Sequence, residues 1–198
     1  MNTEILWYAT RGAGVVSLLL FTGVILLGML GAGRWRRSGW PPALAGGLHR
    51  NLALLSLVFL GIHVVTAVLD PFAALGPIAA LVPFTSSYRP VWVGLGVIAV
   101  DLGIALVLTS ELRRHIGVRA WRLVHWAAYA AWPLAVMHGI GAGTDARKPW
   151  MIAIDAVCVG AVLGAAAWRV VAGGRGGRTT HASREHATMP PMSARHGA

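Results

Sequence analysis

Charge is scarce in this chain, and cysteine is scarcer. Only 12% of the 198 residues are charged, and there is one cysteine. Soluble domains carry about 25% charged residues, so a water-facing surface of ordinary composition is excluded. The lone Cys158 sits in an apolar run, which excludes a disulfide framework and a cysteine-based metal site within one chain. Acidic residues are fewer than basic ones, 7 against 17. Such an excess can mark a nucleic-acid binder, but here Lys and Arg fall between apolar runs or in the tail. They form no basic patch interleaved with aromatics, so no nucleic-acid partner is expected. No internal repeat indicates a transporter of two related halves.

What the chain has in quantity is apolar sequence, 56% of its residues. Five runs reach the length of about 20 residues that crosses a bilayer as a helix: 5–30, 48–69, 91–109, 121–140 and 150–171. The apolar stretch 71–84 is short and holds Pro71, Pro77 and Pro83, so it reads as a surface or re-entrant segment. The first run follows Glu4 with no cation before Arg11, and it is too long for a signal-peptide core; it is expected to be a retained helix. The predicted fold is therefore all-α, an integral membrane bundle of about five helices in the cell membrane, with the lipid bilayer as its main partner.

Cations set the expected orientation. Arg34, Arg36, Arg37, Arg50, Arg113, Arg114, Arg119, Arg122, Arg169, Arg175, Arg178, Arg184 and Arg195 fall on one side. Arg11, Arg89, Arg147 and Lys148 fall on the other. The richer side is expected to be cytoplasmic, with the N-terminus outside and the C-terminus inside. Trp7, Trp40, Trp92, Trp121, Trp150 and Trp168 lie near the proposed span ends, as an aromatic belt requires. Residues 1–172 form the expected membrane domain. Residues 173–198, rich in Gly, Arg, Ser and His with Pro190 and Pro191, read as a disordered basic cytoplasmic tail.

Four of the eight histidines fall in these runs: His49 and His63 on the second, His125 and His138 on the fourth. An imidazole inside a bilayer is costly and points to function. One span separates the two helices, so they run in the same direction. His49 is then level with His125, and His63 with His138. Each level pair can offer two axial imidazoles to one haem iron. His49 and His63 lie fourteen residues apart, about 21 Å of rise and about 40° from a common face. His125 and His138 are thirteen apart, about 20 Å of rise but about 140° out of register. Pro133 lies between them, and a kink there can turn both rings inward. Isolated histidines bonded to neighbouring helices are one alternative, and a zinc or copper site is another. His115, His181, His186 and His196 read as solvated.

These residues resemble the ferric reductase-like transmembrane domain superfamily. That group includes NADPH oxidases, ferric reductases and the membrane subunit of the bacterial periplasmic methionine sulfoxide reductase system. The resemblance rests on His-x13-His on one helix, His-x12-His two helices later, and the stretch WRLVHWAAYAAWPLAVMHG. It implies two b-type haems, an inner one held by His49 with His125 and an outer one held by His63 with His138. The larger relatives carry a flavin and nicotinamide module after the last span. Only the short tail follows here, with no Gly-rich strand-to-helix turn, so no flavin or nicotinamide site is expected in this chain. The glycine clusters 12–14 and 28–33 read as helix-packing sites instead.

The expected function is transmembrane electron transfer, from a separate flavoprotein or quinol donor to an acceptor on the outer side. The chain would be a ferric reductase-like component or an electron-donating subunit of an outer-side reductase, with no catalytic residue of its own. A haem-free transport or scaffold protein and a haem sensor are the alternatives. Arg11 is placed to pair with haem propionates or to snorkel to headgroups. Asp101 and Asp155 are expected to be paired or protonated. Tyr129 shares the face of His125 and is expected to pack there.

Overall fold

The computed structural model describes residues 3–31, 42–71 and 75–187. Arg34, Arg36, Arg37, Trp40, Pro190, Pro191, Arg195 and His196 lie outside the described residues. So do the side chains of residues 172–187, among them Arg175, Arg178, His181, Arg184 and His186.

Secondary structure among the described residues is entirely helical: α1 (Thr3–Gly31), α2 (Pro42–Leu69), α3 (Pro77–Leu81), α4 (Pro90–Glu111), α5 (Arg113–His125), α6 (Ala128–Ala142) and α7 (Pro149–Ala187). Proline begins α2, α3, α4 and α7. Its fixed φ suits the first turn, and its missing N–H is one that a helix leaves unpaired anyway. Among the described residues four segments are long and apolar enough to cross a membrane: Glu4–Gly31, Ala43–Leu69, Pro90–Glu111 and Pro149–Val171. They coincide with four of the five expected runs. The short α3 occupies the proline-rich stretch that was not expected to span.

The remaining expected run, 121–140, is not one helix. It is divided between α5 and α6. The break lies at Trp126–Ala127, not at Pro133, which α6 accommodates in its interior. Across the break the backbone tightens. Ala127 N–H bonds Val124 O, Tyr129 N–H bonds Trp126 O, and Ala130 N–H bonds Ala127 O, all three residues apart. Such 3₁₀ steps turn about 120° rather than about 100°, and this reduces the 140° mismatch between His125 and His138. A second interruption lies within α5, where Gly117 takes φ 79° and ψ 159°, a conformation that a Cβ would oppose.

The apolar span Pro149–Val171 continues as helix to Ala187, through residues expected to be tail. Once a span has nucleated the helix, each further residue adds a hydrogen bond at low cost. The rest of the expected tail, 188–198, lies outside the described residues.

α1 and α2 run antiparallel. Gly14 faces His63, Gly23 faces Leu52 and Gly28 faces His49. Between them Ser17 Oγ donates to Ser56 O at 3.1 Å, and Ser56 Oγ donates to Ser17 O at 3.2 Å. α4 and α6 are also antiparallel neighbours, with Gly96 against His138 and Trp92 against Gly141. A third seam joins α1, α6 and α7: Leu18, Ile25 and Met29 pack with Trp132, Val136, Met151, Cys158 and Val162. Within it Trp132 Nε1 donates to Thr22 Oγ1 at 3.0 Å, and Thr22 itself donates to Leu18 O at 2.8 Å.

Thr22→Val removes the acceptor while keeping the shape, and leaves the buried Trp132 N–H unpaired. The expected cost is about 0.5–2 kcal/mol, read as a lower thermal midpoint of the detergent-solubilised protein. An unchanged midpoint would show that this bond contributes nothing to the seam.

Candidate functional site

Among the described residues a continuous cavity of about 1000 Å³ runs through the bundle, and all four span histidines line it. That is at the top of the range of about 300–1,000 Å³ for small-molecule sites. At one end His49 of α2 faces His125 at the close of α5, with ring centroids 6.2 Å apart and planes at 56°. At the other end His63 of α2 faces His138 of α6, with centroids 6.0 Å apart and planes at 82°. The level pairs expected from the sequence are therefore the pairs that meet. Two imidazoles on opposite sides of one metal, each bonded at about 2 Å, place their centroids about 6 Å apart. Both pairs have that spacing.

The His63/His138 pair has fixed tautomers. His63 Nδ1 lies 2.7 Å from Thr10 O, and His138 Nδ1 lies 2.9 Å from Trp92 O. A carbonyl only accepts, so each Nδ1 carries the proton and donates it. Each Nε2 is then left with its lone pair free. A second hydrogen bond of this kind is what orients metal-bound imidazoles and raises their basicity.

Glycine makes those bonds reachable. A Cβ on Gly14 would lie 2.8 Å from His63 Nδ1, and one on Gly96 would lie 2.5 Å from His138 Nδ1. In both places the ring lies flat against bare helix backbone. It reaches the carbonyl four residues earlier, Thr10 before Gly14 and Trp92 before Gly96. His49 sits in a related but looser seat, because a Cβ on Gly28 would stand 3.6 Å from His49 Cε1, an ordinary contact. Among the described residues His125 Nδ1 is buried without a hydrogen-bond partner, whereas His49 lies against the backbone of Val24, four residues before Gly28, in a looser contact than those of His63 and His138. His125 is held by stacking on Trp121, with centroids 4.8 Å apart at 28°, and Trp121 Nε1 donates to Ser110 Oγ at 3.2 Å.

Charges differ at the two ends. Beside His63 and His138, Arg11 pairs with Asp145 of the α6–α7 loop and stacks on Trp7, its guanidinium 3.8 Å from the ring centroid. Arg89 Nη1 donates to Gly141 O at 2.5 Å, and Tyr88 Oη donates to Ala142 O at 3.1 Å. These contacts bind the loop before α4 to the end of α6. The cavity's other end is bordered by Arg50, Arg113, Arg122 and Arg169. There Arg50 bridges to Glu111, with N–O 3.1 Å, and Arg169 donates to Met29 O.

Arg11 thus lines the cavity near the expected histidine pair, and its partner in the fold is a carboxylate that the sequence reading did not single out. Asp155 is buried with Oδ1 unpartnered among the described residues. Asp101 is exposed on the outside of α4, away from the histidines. Tyr129 borders the cavity and packs on Trp126 at 5.3 Å between centroids. Gly14, Gly28 and Gly96 were not singled out individually. Gly14 and Gly28 repeat the fourteen-residue step of His63 and His49, and that shared step marks them as facing the two rings. No group of three or more His, Cys, Asp or Glu side chains suited to chelating an ion occurs among the described residues. The imidazoles are available two at a time.

A sequence model of the family described as ferric reductase-like transmembrane component matches residues 13–136. The match includes His49, His63 and His125 and stops two residues short of His138. Comparison with curated proteins gives no match, and neither does comparison with solved structures.

Clearances of 2.5–2.8 Å against 3.6 Å predict unequal effects of equal substitutions. Gly14→Ala and Gly96→Ala are expected to destabilise by about 1–3 kcal/mol and to break the Nδ1–H bonds of His63 and His138 respectively. Gly28→Ala is expected to be tolerated. Ring-nitrogen NMR of histidine-labelled protein reads the protonated Nδ1 directly. Retention of both signals in the two tight variants would refute the seating.

Proposed function

Because the chain belongs to the ferric reductase-like transmembrane component family, we propose that it conducts electrons across the cell membrane through two bis-histidine b-type haems. His49 with His125 would hold one, and His63 with His138 the other. The observation that carries this reading is the pair of facing imidazoles, at 6.2 and 6.0 Å, at the two ends of one intramembrane cavity.

Haem supplies a one-electron couple whose potential follows from ligation, burial and nearby charge. The chain's own residues would do the rest. Thr10 and Trp92, through their carbonyls, hold the protonated Nδ1 of His63 and His138 and leave each Nε2 as the free nitrogen. Gly14, Gly28 and Gly96 let three of the rings lie against helix backbone. The apolar walls of α1, α2 and α4 keep water from the path. The fourteen-residue step on α2 separates the two sites by about 21 Å along the helix, most of the hydrocarbon thickness of about 30 Å.

Direction follows from the charge distribution, with the arginine-rich His49/His125 end taken as cytoplasmic. Electrons would enter there from a cytoplasmic or quinol donor and leave at the His63/His138 end to an outer acceptor. Arg11, stationed at that outer end, is proposed to contribute charge to the outer site, in exchange with or in addition to its pairing with Asp145.

Haem per chain and reduced-minus-oxidised spectra, for wild type and four single His→Ala variants, test this reading. Two low-spin b haems are expected in wild type. His49→Ala and His125→Ala should lose the same one, and His63→Ala and His138→Ala the other. Normal haem content in all four variants would sink the assignment, and a loss shared by His49→Ala and His138→Ala would sink the pairing.

A further inference from the structure

Helix α5 is the least covered element of the fold. None of its residues is buried, and its main packing partner is α4, the helix that precedes it. Arg113, Arg114, Arg119 and Arg122 lie along it. Arg113 stands over the Trp121 ring at 4.3 Å. The ion pairs among the described residues are Arg11–Asp145 and Arg50–Glu111, so none of the α5 arginines is paired with a carboxylate there. Interleaved with these cations are Ile116, Val118 and Leu123, 39%, 46% and 76% exposed, with Trp126 just beyond at 63%.

Water suits the guanidinium groups but not the exposed Leu and Trp. Hydrocarbon suits the latter but not the former. The boundary between headgroups and acyl chains suits both, and an unpaired row of arginines there attracts negative charge. An acidic soluble protein would meet the same cations, but it would leave the interleaved apolar side chains in water at its margin. The helix also runs through Trp126–Ala127 directly into the intramembrane α6, which places it at the membrane surface.

We propose that α5 is an interfacial seat for anionic phospholipid headgroups, bound through Arg114 and Arg119, and that this seat holds His125 level with His49. The coupling is mechanical. Residues 118–125 form a short rod between two interruptions, Gly117 at one end and the 3₁₀ break at the other. The rod is tied on its inner side through Trp121 and Ser110. His125 Nδ1 makes no bond to a neighbouring helix among the described residues, unlike His63 and His138. What covers the outer side of the rod therefore sets where His125 stands.

The test uses the full chain and the variant Arg114→Gln/Arg119→Gln; neither side chain borders the cavity. The first readout is phosphatidylglycerol retained per chain after detergent purification. Each arginine near an anionic surface contributes about fivefold in affinity, so the variant should bind phosphatidylglycerol about 25-fold more weakly and retain correspondingly less. The second readout rests on the function proposed above. It is occupancy of the haem whose spectrum His49→Ala removes, in nanodiscs of phosphatidylcholine with and without phosphatidylglycerol. Phosphatidylglycerol should raise that occupancy in wild type, should not in the variant, and should leave the other haem unchanged. Equal lipid retention by wild type and variant overturns the seat, whether or not haem is bound. Lipid retention without any effect on the His125 haem overturns the coupling. Loss of binding to an acidic redox protein with phosphatidylglycerol retention unchanged would make the surface a protein dock and overturn the proposal. Wild type that binds no haem would sink the proposed function, while the retention measurement still decides the seat.

Discussion

The site depends on one steric constraint, the approach of imidazole rings to helix backbone that carries no side chain. In most helices the carbonyl of a residue is screened laterally by the Cβ one turn later. At Gly14 and Gly96 that screen is missing, and His63 and His138 lie in the gap and bond the carbonyls of Thr10 and Trp92. The same contact fixes three things at once: the distance between helices, the tautomer of the ring, and the direction of its remaining nitrogen. In a membrane interior, where a polar ring has no water to fall back on, this solution also removes the cost of an unpaired N–H.

The two pairs use the constraint unequally. The His63/His138 end is locked by backbone bonds and closed by contacts among Arg11, Asp145, Arg89 and Tyr88. The His49/His125 end is looser. Its glycine seat is an ordinary contact, and its second histidine leans on Trp121 instead of on a helix backbone. Its border carries arginines with Glu111 as a paired acid. Geometry at that end is consequently open to influence from outside the bundle, whereas at the other end the fold itself decides it.

Much of this was legible in the sequence because it rests on periodicity and composition. Apolar runs located four helices, although α2 begins six residues earlier than its run and α7 continues sixteen residues beyond its own. Counting along them set His49 level with His125 and His63 level with His138, the rings that face each other in the fold. What was not legible depended on contacts between runs. Pro133 is the obvious breaker of the fourth run, yet α6 carries it and the break falls at Trp126–Ala127, where no residue type announces it. A proline inside a membrane helix is tolerated when its neighbours accommodate it, so residue type alone misplaced the kink. Gly14 and Gly28 were read only within packing clusters, and Gly96 was not read at all. Their particular job emerges only when α1 and α4 are set against the histidine helices. Depth left Arg11 either pairing with propionates or snorkelling to headgroups, but the carboxylate it meets, Asp145, comes from a loop that lies far away in sequence.

Division of the fourth run resolves a conflict that a single straight helix would face. Thirteen residues on an ideal helix turn His125 about 140° away from His138, so a helix that presents one ring to the cavity turns the other away. Separating α5 from α6 by three 3₁₀-type bonds lets the two rings be aimed independently. It also lets the two halves live in different surroundings. α6 stays buried against α1 and α4 through Ala131, Trp132 and Val136, and α5 carries its arginines out to the polar boundary. The break costs little, because the tightened turn still pairs its backbone groups. Its position directly after His125 makes that histidine the last residue of the exposed rod, not the first of the buried helix. The histidine pair at this end therefore joins α2 to the exposed rod of α5, while the pair at the other end joins α2 to α6, which packs in the bundle. That difference in anchoring follows from where one helix stops.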